Sequence, residues 1–330
     1  MKEVVDCIDA GTEFCPCHLA ESNECILCSQ LQGSCFCDCL NWNGVCIYHE
    51  YINNGSKAKE GRKTYNCLVE KKELYEDDVL LIKFKVPHKL SIDLVKPGSF
   101  IFIRTNENVY FDVPISILES DIETNIVTIM IEIRGIKTKK LLDIEEGGEI
   151  TIRGPYWNGV FGLKNLNKQI NNNVLVIARG IGMAPMMPVI RKLSLNNNNV
   201  DLILDKAPYK DNYVREFLSE YKLNIIEEAV LDKGDLTDEI KVLLKSYIKD
   251  KNISYIHIAG ADILTVRIID FLNKIQCEDI KLSCCNNIKM CCGEGVCGSC
   301  TARFSGHRVK RFCKVQADPR NVFEGRRFIW

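Results

Sequence analysis

No cysteine falls between Cys67 and Cys277, although the chain of 330 residues holds eighteen, ten of them up to Cys67 and eight from Cys277 to Cys313. Disulfides stapling a whole fold would not leave so long a gap. Charge of one sign is also missing: 43 basic and 44 acidic side chains give a net charge of −1. Neither nucleic acid nor an anionic membrane therefore has an electrostatic handle, and small ligands or a protein partner are expected. The opening MKEVVDCIDAG has no apolar stretch behind a basic one, and no run of about eighteen apolar residues occurs anywhere. A cytoplasmic protein is expected, and in a reducing compartment dense cysteines point to metal.

What is present is most specific near the C terminus. Residues 290–313 read MCCGEGVCGSCTARFSGHRVKRFC, placing Cys292, Cys297, Cys300 and Cys313 with four, two and twelve residues between successive members. That is the spacing of a plant-type [2Fe-2S] centre. Gly293, Gly295 and Gly298 suit such a loop, because a short thiolate turn around iron takes conformations that a Cβ resists. A zinc knuckle or a set of buried thiols is the plainer alternative. Cys284, Cys285 and Cys291 lie off the spacing and suit small buried side chains.

At roughly 150 residues per domain the length predicts two or three domains. We read residues 1–60 as a cysteine-rich extension ending in the polar linker NNGSKAKEGRK, and 61–165 as a β-barrel domain. Residues 171–276 are read as an α/β nucleotide-binding domain and 277–330 as the cluster segment. The barrel rests on short β-branched runs (VLLIKFKV, SFIFIRT, NIVTIMIEIR, GGEITIRG) broken by PG, GG and GP, which predict a closed antiparallel barrel of about six strands. The α/β domain rests on the apolar run at 174–178, the turn RGIGMAP, the run VDLIL at 200–204, and the strand-like runs NIIEEAVL and ISYIHIA. Each of the last two is followed by a helical pattern, LTDEIKVLLKSYI and DILTVRIIDFLNKI, which implies a parallel sheet with crossover helices.

In GIGMAP, Gly180 and Gly182 would let the backbone approach a pyrophosphate, with Ala184 and Pro185 opening a helix whose N–H groups and dipole favour an anion. The full GxGxxG fingerprint is absent, so the turn alone is a weak signal. Asp205 closes the second strand where an acid could accept hydrogen bonds from a ribose diol. No arginine pair stands beside it in sequence, so NAD is favoured over NADP, although Lys206 or Lys210 could meet a phosphate and Asp205 could merely cap a strand.

The order barrel, nucleotide sheet and C-terminal cysteines resembles the ferredoxin-NADP reductase superfamily. Within it the chain is similar to the dihydroorotate dehydrogenase electron-transfer subunits and sulfide dehydrogenase-like iron-sulfur flavoproteins, over about residues 62–325. The resemblance implies FAD on the barrel, held by the segment VPISI through Pro114, Ile115, Ser116 and Ile117. It also implies contacts from a phosphate turn at RGIKTKK through Arg134, Gly135, Lys137 and Thr138. The family's arginine is missing from the first segment: Val113 stands in its place and Asp112 precedes it, leaving Arg134 or Lys137 to supply the charge. Arg179 replaces a glycine before GxGxAP, and Ala259, Gly260 and Ala261 stand where the family has CGP by the nicotinamide. The implied function is electron transfer between NAD(H), FAD, a [2Fe-2S] cluster and a partner oxidoreductase subunit or ferredoxin-like carrier, the flavin carrying the chemistry so that no catalytic side chain is named. The alternative is an FAD-less redox- or NAD(H)-sensing protein, or a metal-cluster scaffold, on the same fold.

The resemblance does not reach the first sixty residues. There Cys7, Cys15, Cys17, Cys25, Cys28, Cys35, Cys37, Cys39 and Cys46 are enough for one or two four-thiolate sites, either [4Fe-4S] or Zn²⁺, with His18 and His49 as further zinc donors. A second iron-sulfur carrier would extend an electron path, whereas zinc would only brace the loops.

Overall fold

The computed structural model describes residues 5–37, 44–105, 111–304 and 308–323. They form two compact units: the described parts of Met1–Thr64 with Ile288–Ala317, and of Tyr65–Asn287 with Asp318–Trp330. No helix among them is long and apolar enough to cross a membrane.

In the larger unit, six antiparallel strands close the expected barrel: β1 (Lys63–Tyr75), β2 (Val79–Lys85), β3 (Phe100–Arg104), β4 (Val113–Asp121), β5 (Ile126–Glu132) and β6 (Glu149–Tyr156). Their order is β1-β2-β5-β4-β3-β6, a Greek-key path. Alternation along the strands sends Leu80, Ile82, Phe84, Ile117, Ile129, Ile131 and Ile152 into the barrel interior. The opposite faces of β2, β4 and β5 contribute Val79, Leu118 and Met130 to the core of the neighbouring α/β layer. This double burial is why VLLI reads as a continuous apolar run rather than an alternating one.

The α/β layer is a six-stranded sheet of β7 (Val160–Phe161), β8 (Asn173–Arg179), β9 (Asn199–Asp205), β10 (Leu223–Glu227), β11 (Tyr255–Ala259) and β12 (Lys281–Cys285), in the order β10-β9-β8-β11-β12-β7. All neighbours are parallel except β12 and β7. The chain leaves β8 through α1 (Met183–Leu195) toward β9 and β10, then crosses through α2 (Asp238–Asp250) to β11 and through α3 (Asp262–Lys274) to β12. The strand order therefore reverses between β8 and β11, and the carboxyl ends flanking such a switch point form the crevice where open α/β sheets take ligands.

Two details differ from expectation. NIIEEAVL is not one strand: β10 stops at Glu227, and Leu231–Asp232 pairs with Asp235–Leu236 as a small hairpin. Lys281–Cys285, inside the stretch expected as cluster segment, is a strand of the parallel sheet. Leu282, Ser283, Cys284 and Cys285 are buried there, the two cysteines behaving as small apolar side chains.

In the smaller unit the N-terminal stretch and the cysteine loop are joined rather than separate. The short strand Asp6–Cys7 pairs antiparallel with Val315–Gln316, and Thr301–Phe304 forms a hairpin with Arg308–Arg311. The expected linker carries Arg62, whose buried guanidinium contacts Asp9 at 3.0 Å and Glu294 at 2.9 Å, while Lys314 reaches Asp9 and lies 3.0 Å from Glu294. Two cations thus face two carboxylates, a balance that buried charges require. Burial alone would raise Asp9, but Lys314 and Arg62 outweigh it and hold its carboxyl below the ordinary range.

Candidate functional site

At the carboxyl edge of the sheet, β8 ends at Arg179 and the chain passes through one 3-10 turn, Gly180–Gly182, into α1. Pro185 falls in the first turn of α1, where a missing N–H costs nothing, and that turn, at the positive end of a 13-residue helix, holds no acid. Gly180 has φ +56°, and a Cβ there would lie 3.1 Å from the Ala207 carbonyl. At Gly182 a Cβ would stand 2.3 Å from the Ala259 carbonyl and 2.7 Å from the Gly260 nitrogen. The need for glycine at 182 therefore comes from the end of β11 packing onto the turn, not from a ligand alone. Ala184 is buried and Gly260 is packed beneath Leu264 and Arg179.

Asp205 is 5% exposed and its carboxylate is occupied. It accepts hydrogen bonds from Arg179 Nε at 2.9 Å and from the Val230 and Ala207 N–H groups, each at 3.0 Å. The acid expected to take a ribose diol is thus tied to the arginine on the neighbouring strand, directly across the β8–β9 register. Lys206 lies 3.8 Å from Glu227, and Lys210 is exposed.

On the barrel, Val113 and Ile117 point into the core, Pro114 is exposed, and Ile115 and Ser116 are half-buried. Asp112, just before the segment, is paired with Arg104 at 2.7 Å and Arg153 at 3.0 Å. Arg153 also lies over the Phe102 ring, 4.8 Å from its centre, and Phe102 is the register partner of both Arg153 and Pro114. The positive charge at this rim therefore comes from β3 and β6. RGIKTKK forms a single helical turn, Ile136–Lys139. Thr138 Oγ1 accepts the Arg134 and Gly135 N–H groups at 3.0 and 3.1 Å, Arg134 is paired with Glu132 at 2.9 Å, and Lys137 stands over the Phe111 ring. Sequence reasoning missed Arg104 and Arg153. The available signal was Arg104 closing β3, the strand that pairs with VPISI; Arg153 lies within β6, which pairs with β3 and not with VPISI, and carried no such signal.

In the cysteine loop the four thiols stand as two pairs. Cys297 bonds to Cys292 through its side chain and through its N–H at 3.5 Å, the Glu294 N–H also reaches Cys292 Sγ at 3.3 Å, and Cys300 bonds to Cys313. Gly293, Gly295 and Gly298 have φ of 73°, 80° and 73°, as a tight thiolate loop demands. For Cys297 burial acts upward, but donors from Ser299 and Cys292 prevail and bring the thiol down to about 7. For Cys300 the bond from Cys313 leads, and the thiol falls to about 6, while Cys313 as the donor is raised. Among the described residues no three or more His, Cys, Asp or Glu side chains converge as a closed metal-ion set.

No protein-family profile matches the chain. A dihydroorotate dehydrogenase B electron transfer subunit from Clostridium acetobutylicum is 30% identical over 253 residues, covering 74% of this chain and 94% of its own. The chain belongs to this family of electron-transfer subunits. It is accordingly an NAD(P)H-dependent flavoprotein oxidoreductase, as an electron-transfer subunit. A probable subunit of the same name from Pyrococcus horikoshii is 27% identical over 237 residues, 69% of this chain and 81% of its own. Among solved structures, one of an NADH-dependent reduced ferredoxin-NADP oxidoreductase, studied for flavin-based electron bifurcation, superposes with a TM-score of 0.60 at 19% identity, over 78% of this chain and 89% of that one. The CS-b5R domains of human Ncb5or in their NAD+ form superpose at 0.51 and 15% identity, over 69% and 70%. These two likenesses concern the fold of the family.

The N-terminal thiols have a different character from the family's loop. Cys25 Sγ accepts the Cys28 N–H at 3.5 Å, but burial raises Cys7, Cys17 and Cys25 and pushes Cys15 up to about 12, with neighbouring thiols adding to the rise of Cys7, Cys15 and Cys25 and the Asp9 and Glu294 carboxylates to that of Cys17. Cys35 and Cys37 are exposed, Cys46 precedes the helix Ile47–Asn53, and Cys39 lies outside the described residues. Of the two histidines, His18 is paired with Glu21 at 3.1 Å.

Proposed function

We propose that this chain passes electrons between a nicotinamide dinucleotide and a partner protein by way of FAD and one [2Fe-2S] cluster. FAD would lie on the barrel rim at Pro114, Ile115, Ser116 and Ile117, with Arg134, Gly135, Lys137 and Thr138 beside it. The dinucleotide would lie on the sheet edge at Gly180, Gly182, Ala184, Pro185 and Gly260. Cys292, Cys297, Cys300 and Cys313 would hold the cluster. Bound FAD supplies the conversion between a hydride and single electrons. The protein's own part is to bind and orient: α1 presents its positive end to phosphates, the Arg104–Asp112–Arg153 group keeps the rim cationic, and the cysteine loop aims N–H groups at sulfur.

The carrying observation is the pairing of the thiols, Cys292 with Cys297 and Cys300 with Cys313, within a family whose fold supports flavin and nicotinamide binding. A two-iron cluster asks for two thiolates on each iron. A partner subunit follows from the relatives being named as subunits. The N-terminal thiols we read as a further metal centre, iron-sulfur or zinc.

Purification without oxygen, with flavin, iron, sulfide and zinc measured per chain, tests the reading. One FAD and at least two iron and two sulfide per chain are expected. Iron without flavin, even after reconstitution with excess FAD, would replace it with the sensor or scaffold reading, which Val113 and the Thr138-occupied N–H groups favour.

A further inference from the structure

We infer that Arg179 opens the dinucleotide site to the 2′-phosphorylated cofactor, so that the chain binds NADP(H) at least as tightly as NAD(H). The inference rests on the proposed nucleotide site and concerns which dinucleotide that site takes. In sheets of this kind an acid at the end of the second strand selects NAD by accepting the ribose hydroxyls, and its charge repels a 2′-phosphate, while a nearby arginine accommodates that phosphate. Asp205 has the position of the selecting acid but not its freedom. Three donors already occupy its carboxylate, and at 5% exposure it presents almost no surface to a ligand. A carboxylate offers about four acceptor sites, and three are in use inside the protein.

Arg179 both causes this and replaces it. Its Nε takes Asp205 at 2.9 Å, which cancels the charge that would reject a phosphate. Its side chain remains 32% exposed at the carboxyl end of β8, next to the Gly180–Gly182 turn and on the β9 side, where the adenosine half of a dinucleotide would run. Bonding through Nε leaves the two terminal nitrogens of the guanidinium, the fork that suits phosphate oxygens. Lys206 adds a half-exposed cation at the end of the next strand, beside Glu227. The exposed Glu227 and Glu228 are the opposing charges, and Lys206 stands against the first of them.

Calorimetric binding of NADP⁺, NAD⁺, adenosine 2′,5′-bisphosphate and 5′-AMP to the full anaerobic protein tests this without relying on turnover. The expected result is NADP⁺ binding equal to or tighter than NAD⁺, and the bisphosphate tighter than AMP. Arg179→Gln keeps a donor for Asp205 and removes the charge; it should weaken NADP⁺ by about tenfold, some 1.4 kcal/mol, and leave NAD⁺ within about twofold, with an unchanged thermal midpoint. Arg179→Lys should retain part of the NADP⁺ affinity. NADP⁺ binding tenfold weaker than NAD⁺, or equal losses for both dinucleotides in Arg179→Gln, would overturn the inference while leaving the nucleotide site standing. If neither dinucleotide binds, the proposed site itself is wrong and the inference falls with it.

Discussion

Two groups of thiols in the smaller unit respond to burial in opposite ways. Cys297 and Cys300 are held at about 7 and about 6, whereas Cys15 is pushed up to about 12 and Cys7, Cys17 and Cys25 are raised with it. The difference lies in where donors point. Around Cys297 the donors of Ser299 and Cys292 overcome desolvation, and around Cys300 the Cys313 thiol does. Around the N-terminal thiols desolvation leads, and neighbouring sulfurs or carboxylates make each ionisation harder. In the C-terminal loop Cys297 and Cys300 are thus held toward the thiolate, Cys313 being raised as the donor to Cys300, while the N-terminal thiols need a cation to take the protons' place.

The largest effect expected from this contrast is spectroscopic. Serine at Cys297 or Cys300 should abolish one EPR signal of the reduced protein, whereas serine at Cys25 should leave that signal in place and lower only the remaining metal content. A signal that survives at Cys300→Ser, or disappears with Cys25→Ser, would break the division between the two groups.

A smaller effect concerns what joins them. Lys314 is fully buried between Asp9 and Glu294, so Lys314→Met leaves the buried Asp9 and the part-buried Glu294 facing Arg62 alone, which should cost about 3 kcal/mol in denaturant unfolding of this unit. Asp9 and Glu294 are both held below their ordinary values: burial pushes each up, and Lys314 and Arg62 prevail. Their stabilisation is thus complete above the unfolded carboxylate range, about pH 4, and is lost as pH falls through the depressed folded values. A midpoint in Lys314→Met within about 1 kcal/mol of the parent would show that the network contributes little. The same network changes what deletion of the first sixty residues would do. Because Asp9 pairs across to Lys314 and Asp6–Cys7 pairs with Val315–Gln316, removing the extension should disturb the C-terminal signal as well.

Much of the architecture was readable from the chain. The four β-branched runs, broken by PG and GG, fall on β2, β3, β5 and β6 of the six-stranded barrel, and the apolar run at 174–178 with its glycine turn became β8 and the entry to α1. Period and turn chemistry are local properties, so a sequence carries them. The ionic core was not readable, because its partners lie 53, 232 and 305 residues apart and nothing local distinguishes Arg62 from a linker residue. Asp205 was legible only in part: its place at a strand end is visible in sequence, but its engagement by Arg179 depends on the register of two parallel strands. Cys284 and Cys285, set apart by their spacing, are the buried small side chains that the sequence suggested, although their strand in the parallel sheet was not foreseen. The barrel rim shows the converse, since the cations paired with Asp112 beside Val113 are Arg104, on the adjacent strand β3, and Arg153, on β6, which is distant in sequence and reaches the rim by pairing with β3.

Anaerobic stopped-flow mixing with NADH and with NADPH tests most directly whether the C-terminal thiols end an electron path that begins at the sheet edge. Flavin absorbance should bleach first and the iron-sulfur bands of the C-terminal cluster should follow, with the second phase missing in Cys300→Ser and the first unchanged. If neither nucleotide bleaches the flavin while a reduced ferredoxin does, the sheet edge is not an electron entry and the chain is a relay between proteins.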